Sequence, residues 1–362
     1  MKKIMILANS DVGLYKFRKE LIERLLEQYE VHIVLPYGSF VDELVQTGCF
    51  FHAAEFHGRG TNPFHDIRLF FKFYSVMRNI RPDVVLTYTI KPNIYGGAAA
   101  LLLRIPYIAN ITGLGTAVEI PGILSAITTT LYKLPMRKAK KVFFQNEANL
   151  EFMKSRNIVK DNYAILPGSG VNLQQYKILP FPKGETVDFV FVARVMKEKG
   201  IDQYLEAAEY ISSKYPYTRF HICGVCSNDY KNILAEACRS KHVIYHGVVN
   251  DMLPIYEKIT CTVHPTYYPE GMSNVLLESC AAARPIITTN RPGCREIVDD
   301  GVNGYIVREK DSADLIEKLE LFLQQTPEQM EAMGMRGREK VVREFDRNIV
   351  IEKYLKEISD CG

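Results

Sequence analysis

Two carboxylates eight residues apart are the first feature of this sequence with a chemical use. Glu278 is the only charge in the apolar run 275–283, and Glu270 precedes that run beside Gly271. A carboxylate in apolar surroundings is costly unless a donor meets it, so Glu278 needs a partner. A vicinal diol, such as that of a ribose, supplies two hydroxyl donors, and an arginine or lysine elsewhere in the chain is the alternative. Glu270 is placed to accept hydrogen bonds from a second sugar.

Two cations in the segment 193–200, Ala-Arg-Val-Met-Lys-Glu-Lys-Gly, are the second feature. Arg194 directly follows an apolar run, and Lys199 precedes a helical pattern. Two cations that converge at the end of a strand neutralise a diphosphate. Loop charges in solvent are the alternative, which fits Lys197 better than Arg194. Further donors to a phosphate are the backbone amides at a predicted helix start, those of Gly271, Met272, Ser273, Asn274 and Val275.

Several familiar nucleotide-binding and metal-binding patterns are absent. The segment 9–14, Asn-Ser-Asp-Val-Gly-Leu, joins a predicted strand to a predicted helix through the loop 9–13, and its amides can meet an anion or a sugar. It is not GxGxxG, and GxxxxGK[ST] is absent, which argues against a dinucleotide enzyme and a P-loop. No Asp-x-Asp occurs, and Cys223-x-x-Cys226 has no second pair at zinc spacing. No bound metal or cofactor is expected.

Alternating strand and helix patterns run through both halves of the chain and must position these residues. Near-continuous apolar strands separated by helices indicate parallel sheets covered on both faces. The expected fold is α/β, with two doubly wound Rossmann-like domains facing across a cleft and ligands at the carboxyl ends of the strands. The predicted domains are 1–178 and 185–345, joined by the proline-rich linker 179–184. The helix 346–362 is expected to pack back on the first domain.

Composition and charge fit a soluble protein of two domains with dissimilar partners. The 362 residues carry a net charge of +3, but residues 1–180 hold 22 basic and 14 acidic side chains, against 23 and 28 in the remainder. No apolar stretch is long enough to cross a bilayer, and no secretory signal is evident, which predicts a cytoplasmic protein. No nucleic-acid motif accompanies the positive charge, so nucleic acid is not an expected partner.

One basic amphipathic helix is predicted between Glu119 and Glu147, a segment with no acidic residue and with Lys133, Arg137 and Lys138 beside apolar side chains. This composition is typical of a helix at an anionic membrane surface. A helix whose apolar face is ordinary core and whose basic end is solvated is the alternative.

The combined motifs resemble those of the family 4 retaining glycosyltransferases of the GT-B fold, over essentially the whole chain. The resemblance includes Glu270-x7-Glu278, Arg194-x4-Lys199-Gly200 and the segments 292–297 and 301–304. It implies that Arg194 and Lys199 bind the diphosphate of a UDP-sugar, that Glu278 holds the ribose and that Glu270 with the following amides contacts the donor sugar. Gly13 would lie under the phosphates. Many members carry a histidine where the stretch 107–115 has none, so no histidine-assisted step is expected.

Three further segments look like those of bacterial transferases that extend a sugar linked to undecaprenyl diphosphate: Arg-Gly-Thr-Asn-Pro at 59–63, Lys-Pro-Asn at 91–93 and Thr-Gly-Leu-Gly at 112–115. Arg59 and Lys91 are then candidates for the acceptor diphosphate, with surface loop cations as the alternative. The acceptor-binding residues that the resemblance implies are Arg59, Asn62, Lys91, Asn93, Asn110, Thr112 and Gly113.

The expected activity is metal-independent transfer, with retention, of a hexose or N-acetylhexosamine from a UDP-sugar to a polyprenyl-diphosphate-linked sugar, at the cytoplasmic face of the cell membrane. An isomerase resembling the UDP-sugar 2-epimerases and a non-catalytic protein that binds sugar nucleotides are the alternatives. The sequence does not identify the donor sugar, because pocket shape, and no short motif, reads an N-acetyl group.

Overall fold

The computed structural model describes residues 1–55, 63–119 and 122–361, which form two compact units. The first unit contains Met1–Ser169 and Asn348–Gly362, and the second contains Gly170–Arg347. The predicted linker 179–184 therefore falls within the second unit. It is held there because the buried Arg284 guanidinium donates to the carbonyls of Leu179, at 3.2 Å, and Pro180, at 2.7 Å.

A parallel seven-stranded sheet forms the centre of the first unit. Its strands are β1 (Lys2–Leu7), β2 (Tyr29–Leu35), β3 (Phe50–Ala53), β4 (Val84–Tyr88), β5 (Tyr107–Ile111), β6 (Lys141–Phe144) and β7 (Tyr163–Ile165). They lie in the order β3-β2-β1-β4-β5-β6-β7. All residues of β4 and β5 are buried, as expected of strands covered by helices on both faces.

Seven helices follow these strands in the described part of the first unit. They are α1 (Asp11–Leu26), α2 (Val41–Gln46), α3 (Pro63–Ile80), α4 (Gly97–Leu103), α5 (Thr116–Glu119), α6 (Ile123–Lys138) and α7 (Glu147–Ser155). A π-helical turn, Pro92–Gly96, leads into α4.

The second unit repeats the architecture with a parallel six-stranded sheet in the order β10-β9-β8-β11-β12-β13. The strands are β8 (Val187–Val192), β9 (Thr218–Cys223), β10 (Val243–Gly247), β11 (Cys261–His264), β12 (Ile286–Thr289) and β13 (Gly304–Val307). The helices are α8 (Ile201–Lys214), α9 (Lys231–Ala237), α10 (Leu253–Tyr256), α11 (Asn274–Ala281), α12 (Ser312–Leu323) and α13 (Pro327–Glu344). Two parallel sheets of this kind confirm the predicted α/β, doubly wound class.

The last helix, α14 (Arg347–Ser359), belongs to the core of the first unit. Its buried side chains Val350, Ile351, Tyr354 and Ile358 pack in one cluster with residues of β1, β2 and α1. The chain therefore leaves the first unit after β7 and returns to it at its end.

Helix α6 is the basic helix that the sequence predicts, and most of its apolar side chains face outward. Thr128, Tyr132 and Met136 are buried, whereas five apolar residues are exposed: Ile123, Leu124, Ile127, Leu131 and Leu134. Helix α3 carries a similar exposed stripe of Phe64, Ile67 and Phe71. Ordinary core packing, one of the two interpretations of the basic helix, is wrong for these side chains. No helix in the described ranges is long and apolar enough to cross a membrane.

Candidate active site

The order of each sheet reverses direction once, and ligands of doubly wound folds bind at the carboxyl ends of the strands beside that point. In the second unit the reversal lies between β8 and β11, which pair through Cys261 with Phe189 and Thr262 with Val190. The segment after β8 carries Arg194, and the loop after β11 carries Glu270. The two predicted groups of polar residues therefore leave neighbouring strands at the same edge of the sheet.

Arg194 and Lys199 both lie against one aromatic ring. The Arg194 guanidinium carbon is 5.6 Å and the Lys199 Nζ is 4.8 Å from the centroid of the Tyr268 ring. The structure thus brings together the two cations that the sequence predicts for a diphosphate. Tyr268 lies in the loop before Glu270 and is not among the site residues that the sequence predicts.

Gly200 allows Lys199 to lie at this position. Its φ of +79° is in the left-handed region, and a Cβ there would overlap the carbonyl oxygen of Pro265. Only glycine fits both requirements without strain. The chain turns at Gly200 directly into α8, so the glycine after Lys199 fixes where the lysine side chain starts.

Lys199 also forms an ion pair with Glu270. The two side chains are 12% and 17% exposed, so solvent screens this pair less than a surface pair. The sequence assigns one residue to a diphosphate and the other to a sugar, and the structure places them in direct contact. An anion that binds Lys199 competes with Glu270 for the ammonium group.

The start of α11 differs in part from the prediction. Ser273 is the residue before the helix, and its backbone N–H donates to the Gly293 carbonyl at 2.8 Å, so this amide is already engaged. Asn274 and Val275 occupy the first two helical positions, whose N–H groups have no acceptor within a helix. The Asn274 Oδ1 atom is buried without a hydrogen-bond partner. Met272 is buried in the apolar cluster of the second unit.

The segment 292–297, which is part of the family resemblance, supports the loop that carries Glu270. Gly293 has a φ of +89°, and a Cβ there would lie 2.5 Å from the Gly271 carbonyl oxygen and 3.1 Å from Glu270 Cβ. The glycine therefore permits the close approach of the segment after β12 to the loop that bears Glu270.

Glu278 has a tyrosine neighbour. The Tyr176 side chain lies close enough to Glu278 for the carboxylate to act on its hydroxyl. Burial is the main cause, and the charge of Glu278 a further one, of a pKa of Tyr176 well above its usual value. This neighbour of Glu278 lies about one hundred positions earlier in the chain, where no local pattern indicates it. Tyr176 and Tyr268 are the residues of this site that sequence reasoning missed.

His264 ends β11 beside the two cations. It is buried, its Nδ1 atom has no hydrogen-bond partner, and its pKa falls to about 3 because of burial and, secondarily, the charge of Lys199. The ring is therefore neutral near pH 7 and adds no charge to the site.

In the first unit, the segment predicted as the loop 9–13 is already helical from Asp11. Ser10 caps α1 by accepting a hydrogen bond from the Gly13 N–H at 3.3 Å, which explains the earlier start. Gly13 lies in the first turn of α1, and the atoms nearest to an added Cβ belong to Ser10, at 3.9 Å and beyond. Its predicted place under the donor phosphates stays a prediction.

Lys91 is not a free surface cation. Its Nζ lies 2.8 Å from Asp66 Oδ1, and both side chains are largely buried. Asp66 also accepts a hydrogen bond from the Tyr95 hydroxyl at 2.9 Å. The interpretation of Lys91 as a solvated loop cation is therefore wrong, and its predicted contact with an acceptor diphosphate stays a prediction.

Asn93 and Asn110 are buried in an internal hydrogen-bond network. The Asn93 amide accepts from the Thr87 hydroxyl at 2.6 Å and donates to the Asn110 carbonyl at 2.8 Å. The Asn110 side chain donates to the Thr87 carbonyl at 3.1 Å and accepts from the Tyr354 hydroxyl. Contact with an acceptor would require these hydrogen bonds to break. The geometry therefore indicates a structural role for both residues in place of the predicted contact with the acceptor.

The remaining predicted acceptor residues are only partly described. Thr112 and Gly113 follow β5 and are half-buried, and Gly113 has a φ of +129°. Arg59 and Asn62 lie outside the described residues.

The cysteines carry no evident chemistry. All eight are free thiols, and burial raises the pKa of Cys223 to about 12. Over residues 1–55, 63–119 and 122–361, no group of three or more His, Cys, Asp or Glu side chains could hold a metal ion.

Two family models match the chain. The model described as glycosyl transferase 4-like matches residues 3–146, and the model described as glycosyl transferases group 1 matches residues 176–340. Both units of the fold are therefore similar to glycosyltransferase domains.

Two curated relatives match along nearly their whole length. The N,N'-diacetylbacillosaminyl-diphospho-undecaprenol alpha-1,3-N-acetylgalactosaminyltransferase of Campylobacter jejuni is 26% identical, over 98% of this chain and 97% of its own. The UDP-Gal:alpha-D-GlcNAc-diphosphoundecaprenol alpha-1,3-galactosyltransferase of Escherichia coli is 25% identical, over 92% and 89%. Among solved structures, HepE of Anabaena in complex with UDP and glucose has a TM-score of 0.81 at 15% identity, over 99% of this chain and 100% of that chain, a similarity of fold.

Proposed function

Because the chain belongs to the family 4 glycosyltransferases of the GT-B fold, we propose that it moves a hexose or N-acetylhexosamine from a UDP-sugar to a polyprenyl-diphosphate-linked sugar in glycan or polysaccharide assembly. The names of the Campylobacter and Escherichia relatives support this acceptor class, and the Escherichia name supports a UDP-sugar donor. The observation that carries the proposal is the convergence of Arg194 and Lys199 at the carboxyl ends of β8 and β11.

In this proposal the second unit binds the donor. Arg194 and Lys199 bind the diphosphate, and the two together match its charge. Glu278, beside the Tyr176 hydroxyl, accepts hydrogen bonds from the ribose diol. Glu270 binds the donor sugar once the diphosphate has taken over its ion-pair partner Lys199, and the N–H groups of Gly271, Met272, Asn274 and Val275 complete the pocket.

The chemistry we propose is front-face substitution with retention. The bond between the anomeric carbon and the β-phosphate oxygen of UDP breaks, and the acceptor hydroxyl oxygen bonds to the same carbon from the same face. The acceptor proton passes to the departing diphosphate. Arg194 and Lys199 stabilise the negative charge that develops on the diphosphate, and such preorganised electrostatic contacts supply a large share of many enzymatic rate enhancements.

We propose that the reaction needs no metal ion, because two side-chain cations already face the diphosphate position. Turnover in buffer with excess EDTA should equal turnover in buffer with added Mg²⁺. Loss of turnover with EDTA that returns when Mg²⁺ is restored would contradict metal independence.

The first unit is proposed to bind the acceptor. Lys91, held by Asp66, can meet the acceptor diphosphate, and Thr112 and Gly113 lie on the segment that follows β5. Arg59 and Asn62 keep the same proposed role from the sequence alone. Gly13 keeps its proposed role at the donor phosphates from the sequence alone.

We further propose that the first unit contacts the cytoplasmic face of an anionic membrane, where a lipid-linked acceptor resides. The surface consists of the exposed apolar residues of α3 and α6, of which Phe64 and Ile123 are 82% and 83% exposed. Lys133, Arg137 and Lys138 are exposed on the same α6 helix. Each lysine or arginine near an anionic surface contributes about 1 kcal/mol to binding.

The experiment that tests the activity is UDP release across a panel of UDP-sugars with a short polyprenyl-diphosphate sugar acceptor. Release that requires both one donor and the acceptor is the expected result. Conversion of UDP-N-acetylglucosamine without acceptor would instead indicate a UDP-sugar 2-epimerase, and UDP binding without release or conversion would indicate a non-catalytic binding protein.

A further inference from the structure

The two residues before Tyr268 tie its loop to the segment that carries Lys199. The Tyr267 N–H donates to the Glu198 carbonyl at 2.9 Å, and the Thr266 hydroxyl donates to that carbonyl at 3.4 Å. The Tyr268 N–H donates to the Thr266 hydroxyl oxygen at 3.2 Å. The loop after β11 and the segment 197–199 are thus one hydrogen-bonded assembly, so the ring and Lys199 keep a fixed relation.

Two cations face this one ring, at 5.6 Å for the Arg194 guanidinium carbon and 4.8 Å for the Lys199 Nζ. Like charges repel, and both side chains are long and flexible, so their convergence needs a cause. An aromatic ring attracts both cations through its quadrupole but carries no net charge. It therefore gathers them without neutralising them, whereas the carboxylate of Glu270 neutralises Lys199.

We propose that Tyr268 is a positioning residue that preorganises Arg194 and Lys199 for the diphosphate of the donor, acting through its ring and not through its hydroxyl. This inference rests on the proposed function. The ring reduces the freedom that the two side chains lose on binding, and it sets the spacing between them before the diphosphate arrives.

The test compares Tyr268→Phe, which keeps the ring, with Tyr268→Leu, which removes it. Tyr267→Leu is the matched control, because the Tyr267 ring lies 4.8 Å from Lys310 Nζ and faces no proposed site residue in the described contacts. UDP and uridine affinities are measured by calorimetry and by ligand-observed NMR, together with the melting temperature and, with a productive donor, kcat/KM.

Tyr268→Leu is expected to weaken UDP binding and lower kcat/KM by about tenfold, as the loss of two partly exposed cation–π contacts implies. Uridine affinity should stay unchanged, because uridine lacks the diphosphate. Tyr268→Phe and Tyr267→Leu should stay within about twofold of the unmodified protein.

Three outcomes would overturn the inference. The first is wild-type UDP affinity in Tyr268→Leu. The second is an equal loss of UDP affinity in Tyr268→Phe, which would make the hydroxyl the active group. The third is an equal loss of uridine affinity in Tyr268→Leu, which would indicate general disruption. If the unmodified protein itself binds no UDP, the proposed function fails first, so the two failures are distinguishable.

Discussion

Lys199 contacts both a carboxylate and an aromatic ring. This double contact makes Lys199, together with Arg194 on the same ring, the most informative residue to replace. Glu270 lowers the net charge that Lys199 presents, whereas Tyr268 leaves it intact. Among the described contacts, Arg194 lies against the Tyr268 ring, as Lys199 does, but is paired with no carboxylate. In the proposed reaction, the balance between these contacts decides how much positive charge is available to the departing diphosphate.

Replacing Arg194 or Lys199 with Ala should lower kcat by about 100-fold or more, the usual scale for one lost preorganised contact to developing charge. Lys197→Ala is the control, because Lys197 is an exposed cation of the same segment. Steady-state kinetics with saturating UDP-sugar and acceptor measures the effect. Near wild-type turnover in both Ala variants would remove the basis of the proposed mechanism.

Glu278→Ala should chiefly weaken donor binding, because the ribose does not change charge during the reaction. Tyr176→Phe should weaken UDP binding by a smaller factor, roughly tenfold, since it removes the hydroxyl beside the Glu278 carboxylate. Calorimetry with UDP compares both variants with Tyr217→Phe, an exposed tyrosine of the same unit. Unchanged affinity in Glu278→Ala would exclude Glu278 from the ribose site.

Helix α6 illustrates how an element can satisfy two environments. Its buried side, with Thr128, Tyr132 and Met136, packs on the first unit, and the side chain of Asn162 helps to fix its end through the carbonyl of Met136 at 2.8 Å. Its other side leaves large apolar residues in water, which is unusual unless a partner covers them.

Replacing Ile127 and Leu134 together with Glu should abolish cosedimentation with vesicles that contain anionic lipid. The change removes apolar burial and adds negative charge opposite an anionic surface. Ile233→Glu, an exposed apolar position on α9 of the second unit, should leave vesicle binding intact. UDP release with a water-soluble acceptor should be unchanged in both variants, and undiminished vesicle binding by the double variant would contradict the membrane surface.

At the scale of the whole molecule, the chain forms two units of similar architecture, and its last helix completes the first unit. Tyr354 of α14 is buried, and its hydroxyl donates to Asn110 at the end of β5. The Arg18 guanidinium of α1 lies 5.1 Å from the Tyr88 ring and 5.9 Å from the Tyr354 ring. Sequence-distant elements of the first unit therefore meet in one polar cluster.

Tyr354→Ala should destabilise the first unit by about 3 kcal/mol or more, because it opens a cavity and removes the hydroxyl that donates to the buried Asn110 Oδ1. Hydrogen exchange measured by peptide should quicken in β4, β5 and α14 and stay unchanged in β8 and β11. Lys356→Ala, an exposed position on the same helix, is the control. Equal quickening in both units would show that they unfold as one body.

The sequence alone determined the α/β class, because buried parallel strands require continuous apolar runs and the helices between them require a different period. It also determined the residue types of the proposed donor site, because Arg194, Lys199 and Glu270 lie at strand and helix ends that local patterns reveal. The start of α1 was misplaced because Ser10 caps the helix before the apolar pattern begins.

The tertiary structure alone decided which of these residues have partners. Glu278 meets Tyr176, Lys91 meets Asp66, and Asn93 with Asn110 closes an internal network, all through contacts between positions far apart in the chain. Burial likewise depends on packing, so the sequence left open whether the apolar residues of α6 are core or surface. The sequence shows which residue types are available for such contacts but not which residues contact each other, because these pairs form only when distant segments pack together.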